Sequence, residues 1–497
     1  MWFLISCVAV GIIVKVLIDW MPPEKFPPGP RGLPLIGNIL DLKRIIKKTK
    51  YLGDAWCQLA KDYGSVVGLR LGFSDPLIIV SGREAVLEML NREEFDGRPE
   101  GYMFRLRTLG QTRGVLFTDG EIWKDQRRFA LKSLRDFGFG KRSMESMILE
   151  EGVTLSKIIE NKAKEGIVND VHKISAFAVL NSFWSLIAGA RYDQNEQDSE
   201  LVGIMQTIND AIRSNNAIGG IINQLPFLRF FIPGPLGLSE HKDRIVKIWK
   251  YFSKEVTRHK QTKIYGEQRD LIDAYLEEIK CQNGKPSSSF DENQLISLVK
   301  DLFSAGIETT NNTIGFTLMY LMINQNVQKK LHEELDRVLG NDTLPSLDYR
   351  NRLPYLNAIL AEVARMANIG PTTIPHRAKR DSIFLGYKIK KNSMILANLL
   401  SVHMDKGHWG DPEVFRPERF INDNGQFIND SWLIPFGAGR RKCLGENLAK
   451  NTLLLFTACL FQKLHFRLPP GDPLPAIKGI DGFTISPAIF NAIVTPR

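Results

Sequence analysis

The sequence predicts a mainly α-helical protein with a small, segregated β region. Three observations lead there. Apolar residues recur at helical spacing over most of 83–335; one segment, DENQLISLVKDLFSAGIETTNNTIGFTLMYLMINQ, holds that spacing for about thirty positions; and the strand-like runs are short and gathered in a few places.

The elements follow in order. The first twenty residues, MWFLISCVAVGIIVKVLIDW, are nearly all apolar and carry neither a basic leader nor a small-residue cleavage site, so they predict a membrane-spanning anchor. Lys15 lies near its end, where a lysine stem can reach the interface. PPEKFPPGPRGLPLIGN cannot continue a helix and predicts a semi-rigid tether, and KRIIKKTK at 43–50 places basic charge just past the span, which predicts a large C-terminal part facing the cytoplasm. GSVVGLRLG and PLIIVSG, separated by FSD, predict a strand pair. The helical region is broken at 225–237 by LPFLRFFIPGPLG, too irregular for one helix and suited to a packed loop, a pocket cover or a membrane contact.

Asp291 and Gln294 form a capping pattern at the start of the long helical segment, whose roughly 45 Å at 1.5 Å per residue would cross a whole domain as a central axle. VQKKLHEELDRVL and LPYLNAILAEVARMANI predict two further helices, the second opened by Pro354. IFLGYKI and SMILANLLSV read as short strands, and an apolar helix over about 446–463 closes the pattern. Bulk composition restricts the chemistry less. The 497 residues carry a net charge of +10, which favours anionic partners without choosing among nucleic acid, lipid surface and acidic protein. Cys7, Cys57, Cys281, Cys443 and Cys459 include no C-x-x-C pair, against both a disulfide framework and a four-ligand zinc site.

One cysteine stands apart. FGAGRRKCLG at 436–445 surrounds Cys443 with Gly437, Gly439 and Gly445, which permit a tight loop laid against something flat or bulky. Arg440, Arg441, Lys442 and the amides of the helix starting near Glu446 all favour a thiolate. A stabilised thiolate is a nucleophile or a metal ligand, and no local histidine offers itself as a general base.

The loop resembles the F-x-x-G-x-R-x-C-x-G haem-binding loop of the cytochrome P-450 family, a match expected by chance on the order of once in ten thousand chains of this length. The resemblance implies a haem-thiolate monooxygenase fold, haem b with Cys443 as its axial metal ligand, and insertion of one oxygen atom from O2 into a small apolar substrate. Further matches lie in the family's order. Glu362 and Arg365 in EVAR, with Arg419 in PERF, resemble the cluster that supports the cysteine loop. AGIETT resembles the oxygen-activation motif, and implies that Gly306 leaves room above the haem, Thr309 meets dioxygen or back-bonds to its own helix and opens a kink, and Glu308 feeds protons through water. WKDQRR resembles the family's W-x-x-x-R. It implies that Trp123 and Arg127 hold a haem propionate with Arg441, joined by Arg98 of FDGRP and His376 of PHR.

The resemblance covers essentially the whole chain and divides it into a membrane anchor over 1–20, a proline-rich hinge over 21–37 and a catalytic haem domain over 38–497. It fits the microsomal class of the endoplasmic reticulum membrane, which takes NADPH electrons from a separate flavoprotein reductase. Lys124, Arg128, Lys132, Arg440 and Lys442 are candidates for its docking face, and nucleic acid is not expected as a partner. Pocket candidates are the 101–117 loop, Ala305, Thr309, Thr373, Ile374 and Thr484. Local wording such as HWGDPEVFRPERF is similar to animal steroid- and xenobiotic-metabolising members and, among insect ones, to epoxidases of juvenile hormone synthesis acting on methyl farnesoate. Hydroxylation of steroids or xenobiotics is the alternative. A haem-thiolate that rearranges a preoxygenated lipid is disfavoured by the intact ETT, and a non-catalytic haem-thiolate sensor would need no pocket.

Overall fold

A computed structural model describes residues 23–138, 142–194, 199–214, 218–264, 266–282 and 288–497; the anchor expected over 1–20 lies outside them. The axle is present as one continuous helix, Glu292–Ile323, buried along most of its length. The helices Ala176–Ala188, Leu238–Thr262, Pro354–Ala367 and Glu446–Lys463 pack on it most closely, joined by Leu271–Gln282 and Gln325–Val338. The main hydrophobic core lies between these elements, and each fully buried leucine or phenylalanine there contributes about 1.5–3 kcal/mol. The stretch Val171–Ala188 is long and apolar enough to cross a membrane, yet 72% of it is buried inside this bundle, as befits a core helix apolar on all sides.

The capping pattern at Asp291 forms by half. The Asp291 carboxylate accepts from Gln294 N at 2.8 Å, but the Gln294 amide does not reach back. It brackets Gly114 instead, donating to its carbonyl oxygen and accepting from its N–H, so the N-terminus of the axle pins the 101–117 loop. Pro354 opens its helix as expected.

The β region is a four-stranded sheet in the order β1 (Val66–Leu69), β2 (Leu77–Ser81), β6 (Met394–Asn398), β3 (His376–Arg377). The β1–β2 and β6–β3 pairs are antiparallel, while β2 and β6 run parallel with Ile79 opposite Leu396. Two hairpins stand apart, β4 (Ser382–Phe384) with β5 (Tyr387–Ile389), and β7 (Leu464–Arg467) with β8 (Ile493–Pro496). SMILANLLSV does not stay extended. The strand ends at Asn398 and the chain turns into the helix Leu400–His403, whose Val402 and His403 are buried beneath the site.

The described part of the proline-rich segment is docked rather than free. Gly68 N–H donates to Pro28 O at 2.9 Å, and Phe26 packs against the core under the sheet. The break at 225–237 contains one short helix, Leu228–Phe231, with Phe230 and Phe231 among the most exposed aromatics of the described residues.

Candidate active site

A cavity of about 550 Å3 opens between the axle, the 101–117 loop, the strand leading into β3 and the cysteine loop. Every pocket candidate lines it: Ala305, Thr309, Thr373, Ile374, Thr484 and, from the loop, Met103, Phe104, Arg107, Val115, Leu116 and Phe117. Arg98, Trp123, Arg127, His376, Glu308, Arg441 and Cys443 line it too, whereas Glu362, Arg365 and Arg419 lie behind the cysteine loop. Residues from Arg98 to Thr484 therefore converge on one hollow.

The cysteine loop closes on itself, with Cys443 N–H donating to Phe436 O at 2.9 Å. Gly439 is needed for two reasons: its φ is +68°, and a Cβ there would come within 2.0 Å of Leu90 O. The Cys443 side chain is exposed to the cavity, deep within the protein. Burial raises its thiol above the ordinary 9.0; Gly445 N–H, Arg127 and Lys442 oppose this, and Glu446 reinforces it. The expected thiolate bias is thus outweighed by desolvation in the protein alone. Arg440 pairs with Glu93 at 2.9 Å, and Arg441 donates to Asp96 O, so neither supports the sulfur as expected. A metal cation bound at the sulfur would supply the missing positive charge.

The rim beside Cys443 carries an excess of positive charge. Arg98 is buried and spends its hydrogen bonds on carbonyls: Leu116 O at 2.9 Å, Ile374 O at 3.0 Å and Pro375 O at 2.9 Å. Arg441 lies over the Trp123 ring at 3.9 Å and leaves a buried Nη1 without a hydrogen-bond partner. Burial lowers the Arg441 guanidinium to about 10. Arg127 donates to Lys442 O at 2.7 Å and is pushed downward, mainly by burial. His376 donates from Nδ1 to Phe95 O at 2.8 Å, while burial and the nearby Arg98 keep its ring neutral. Its Nε2 then carries a lone pair, so it meets a carboxylate only by taking up a proton.

On the axle, Thr309 Oγ1 donates back to Ala305 O at 2.7 Å and the helix continues without a break. The Gly306 expectation takes a different form: a Cβ there would lie 2.9 Å from the Phe183 ring, so the glycine seats Phe183. Glu308 is buried, accepts from Thr484 Oγ1 at 2.7 Å, and has a second oxygen, Oε2, with no partner. Burial raises its carboxyl above the ordinary range against the pull of Thr484, Arg213 and Asn312. Two turns earlier stand residues the sequence reading did not single out. Asp301 accepts from Val115 N at 2.9 Å and Leu116 N at 3.0 Å and pairs with Arg107, and Lys300 turns its amine into the same corner. The charge pair KD inside an otherwise apolar buried stripe was the available signal.

Behind the cysteine loop, Glu362 and Arg365 are fully buried and joined by two bonds of 2.7 and 2.8 Å. Arg419 Nε and Arg416 N also donate to Glu362, and Arg419 clamps the Trp409 and Asp411 carbonyls. Arg365 Nη1 donates to His403 O, and the His403 ring, held neutral by burial, accepts from Ile434 N at 3.1 Å. This links the ion cluster to the residues entering FGAGRRKCLG. His403 carried no motif and was not foreseen.

Haem fits this set on the chain's own terms: a sulfur faces the cavity, and a rim of guanidinium groups with an unpartnered Arg441 Nη1 is suited to its carboxylates. The comparisons agree. The cytochrome P450 family model matches residues 27–490. Farnesoate epoxidase of Bombyx mori is 37% identical over 473 residues, covering 95% of this chain and 94% of that protein. Probable cytochrome P450 305a1 of Drosophila melanogaster is 35% identical over 505 residues, covering 99% of each. Cytochrome P450 2J2 of Homo sapiens is 34% identical over 484 residues, 96% of this chain and 92% of its own. With the family matched over nearly its whole length, the chain belongs to the cytochrome P450 family of haem-thiolate monooxygenases.

Proposed function

We propose that this monooxygenase epoxidises an isoprenoid of the methyl farnesoate type, taking NADPH electrons from a separate flavoprotein reductase at the endoplasmic reticulum membrane. The observation that carries the reading is the hollow itself: an apolar cavity of about 550 Å3 with a cysteine at one wall and a buried acid–threonine pair at another. Haem would take the part of it beside Cys443, and the remainder between the axle and the 101–117 loop suits one small lipid-like molecule. Similarity to the Bombyx mori farnesoate epoxidase supports the substrate class.

Bound haem would supply dioxygen binding and oxygen transfer, the chemistry the protein side chains lack. Cys443 would hold the iron, with Arg98, Trp123, Arg127 and Arg441 receiving the propionates and His376 joining once protonated. Glu362, Arg365 and Arg419 fix the loop that presents the sulfur. Glu308, whose Oε2 is free of hydrogen bonds, would take up and release a proton, and Thr309 can pass it on by releasing its bond to Ala305 O. The domain plan carries over as proposed: an anchor over 1–20, a hinge over 21–37 and a haem domain over 38–497 facing the cytoplasm. Exposed Phe230 and Phe231 suit a further contact with the lipid surface. In the docking face proposed for the reductase, Lys124 pairs with Glu121 at 2.7 Å and Arg128 with Asp125 at 3.0 Å, exposed pairs that a partner's acids can replace at little cost.

The test combines two measurements on the purified, haem-loaded protein. Methyl farnesoate should shift the Soret band and yield an epoxide with NADPH and reductase. Cys443→Ala should abolish the thiolate-type absorbance of the reduced carbon monoxide complex. Retention of that absorbance overturns the ligand assignment, and no shift or product with methyl farnesoate overturns the substrate.

A further inference from the structure

Two and a half turns before Thr309 on the axle, the axle and the 101–117 loop form a second polar corner of the cavity, apart from the guanidinium groups beside Cys443. Lys300 is 8% exposed, lines the cavity, and donates to the Arg107 backbone oxygen. It forms no ion pair with any described carboxylate, although Asp301 is its neighbour in sequence. Asp301 is already committed to Arg107, Val115 N and Leu116 N. The Arg107 guanidinium lies over the Phe117 ring at 4.8 Å and has a buried Nη1 without a partner. An ammonium has three donors, and one backbone carbonyl uses one of them. The corner therefore offers hydrogen-bond donors to the cavity and no acceptor to match, an arrangement that is costly when left unmet.

We propose that Lys300, with Arg107 beside it, anchors the carbonyl oxygen of an apolar substrate that ends in a carboxylic acid or its ester. The inference rests on the substrate cavity assigned above and deepens it: Lys300 determines specificity for one end of the chain. Desolvation, which lowers the Lys300 amine to about 7, lets it serve a neutral ester as an uncharged donor or a carboxylate as a cation. The axle supplies a ruler. Lys300 and Thr309 are about 13 Å apart along the helix axis at 1.5 Å rise per residue. A molecule held by its carboxyl head at Lys300 presents its far end, not its head, to Thr309 and Cys443.

The experiment titrates the haem-loaded full chain with three probes and reads the Soret shift: methyl farnesoate, farnesoic acid, and farnesene, the corresponding hydrocarbon without a carbonyl. Lys300→Met should raise Kd for the ester, the acid or both at least tenfold and leave the hydrocarbon within twofold, while Lys300→Arg restores most of the affinity. The tighter of the two carbonyl probes in the wild type identifies the head group. Unchanged Kd for both carbonyl probes in Lys300→Met, or an equal loss for all three, overturns the anchor. Failure of every probe to shift the wild-type spectrum overturns the isoprenoid reading instead and takes the anchor with it. Retained thiolate-type absorbance in each variant shows that the fold and the haem pocket survive. Oxidation of methyl farnesoate should move from the far end toward several positions in Lys300→Met; an unchanged product also counts against the anchor.

Discussion

Two buried glutamates stand on helices that touch each other, and they are treated in opposite ways. Glu362 has no exposure and meets two arginine side chains and a backbone amide within 3.0 Å. Glu308, 7% exposed, accepts the Thr484 hydroxyl on Oε1 and no hydrogen bond on Oε2, with the Asn312 amide and Arg213 acting on it only weakly. The first carboxylate is finished as a structural part, with its charge neutralised and its lone pairs used. The second is left incomplete on the wall of the cavity, its proton affinity raised by burial. A support behind the cysteine loop must not move, whereas a proton carrier must be able to gain and lose its charge.

The sharpest way to break this comparison is to make Glu362 incomplete as well. Arg365→Ala removes both the bidentate partner and the donor to His403 O, leaving a buried carboxylate with Arg419 alone among its side-chain partners. Breaking a buried pair from one side costs about 3–5 kcal/mol. We expect a large drop in melting temperature and loss of haem from the purified protein. A variant that keeps its haem and melts within a few degrees of the wild type would reduce the cluster to ornament.

Much of this contrast was legible in the sequence, because motifs at fixed spacing mark positions where only one chemistry works. Cys443 with its glycines stands out by local pattern, Glu362 with Arg365 and Glu308 with Thr309 gain their meaning only beside that loop, and the axle stands out by periodicity. What was not legible depended on contacts distant in sequence. Arg441 was expected both to favour the thiolate and to share a propionate with Trp123 and Arg127; folding turns it toward Asp96 O and the Trp123 face, which suits only the second role. Gly306 makes room for Phe183, 123 positions earlier in the chain, which no local reading could find. LLSV, apolar and β-branched at its end, read as strand until tertiary packing buried Val402 and His403 in a helical turn.

His403 offers a second, smaller test, since it joins the finished cluster to the loop. Its Nδ1 donates to Asn368 Oδ1 at 3.1 Å and its Nε2 accepts from Ile434 N, so both nitrogens are used only in the neutral ring. Burial and the nearby Arg365 lower its pKa to about 3 from 6.5. Between those values the unfolded chain binds a proton that the folded chain refuses, so this stability is complete above 6.5 and is lost as the pH falls toward 3. His403→Leu should cost about 1–3 kcal/mol at neutral pH by orphaning Ile434 N–H. It should also flatten the decline in melting temperature between pH 6.5 and 4 relative to the wild type. His172 and His332, each held near 4, keep part of the slope, so the difference between the two curves is the measurement. Parallel curves would show that His403 does not titrate with unfolding.

Glu308→Gln should disturb stability least, and for an instructive reason. Thr484 can donate to the new amide oxygen as it did to the carboxylate, so the neutral side chain keeps its one bond and melting should change by no more than about 1 kcal/mol. The pH dependence carries the sign. Because the folded carboxyl binds its proton more tightly than the ordinary 4.5, the folded state holds an extra proton just above that value, and stability declines as pH rises through the raised pKa. Glutamine removes that decline, which thermal melts from pH 4.5 upward can resolve. Loss of the proton carrier should appear in turnover instead, as NADPH consumed without matching product, with Glu308→Asp recovering part of the coupling. Undiminished coupling in Glu308→Gln would make the unpartnered oxygen a packing defect, and the two glutamates would then differ in surroundings but not in role.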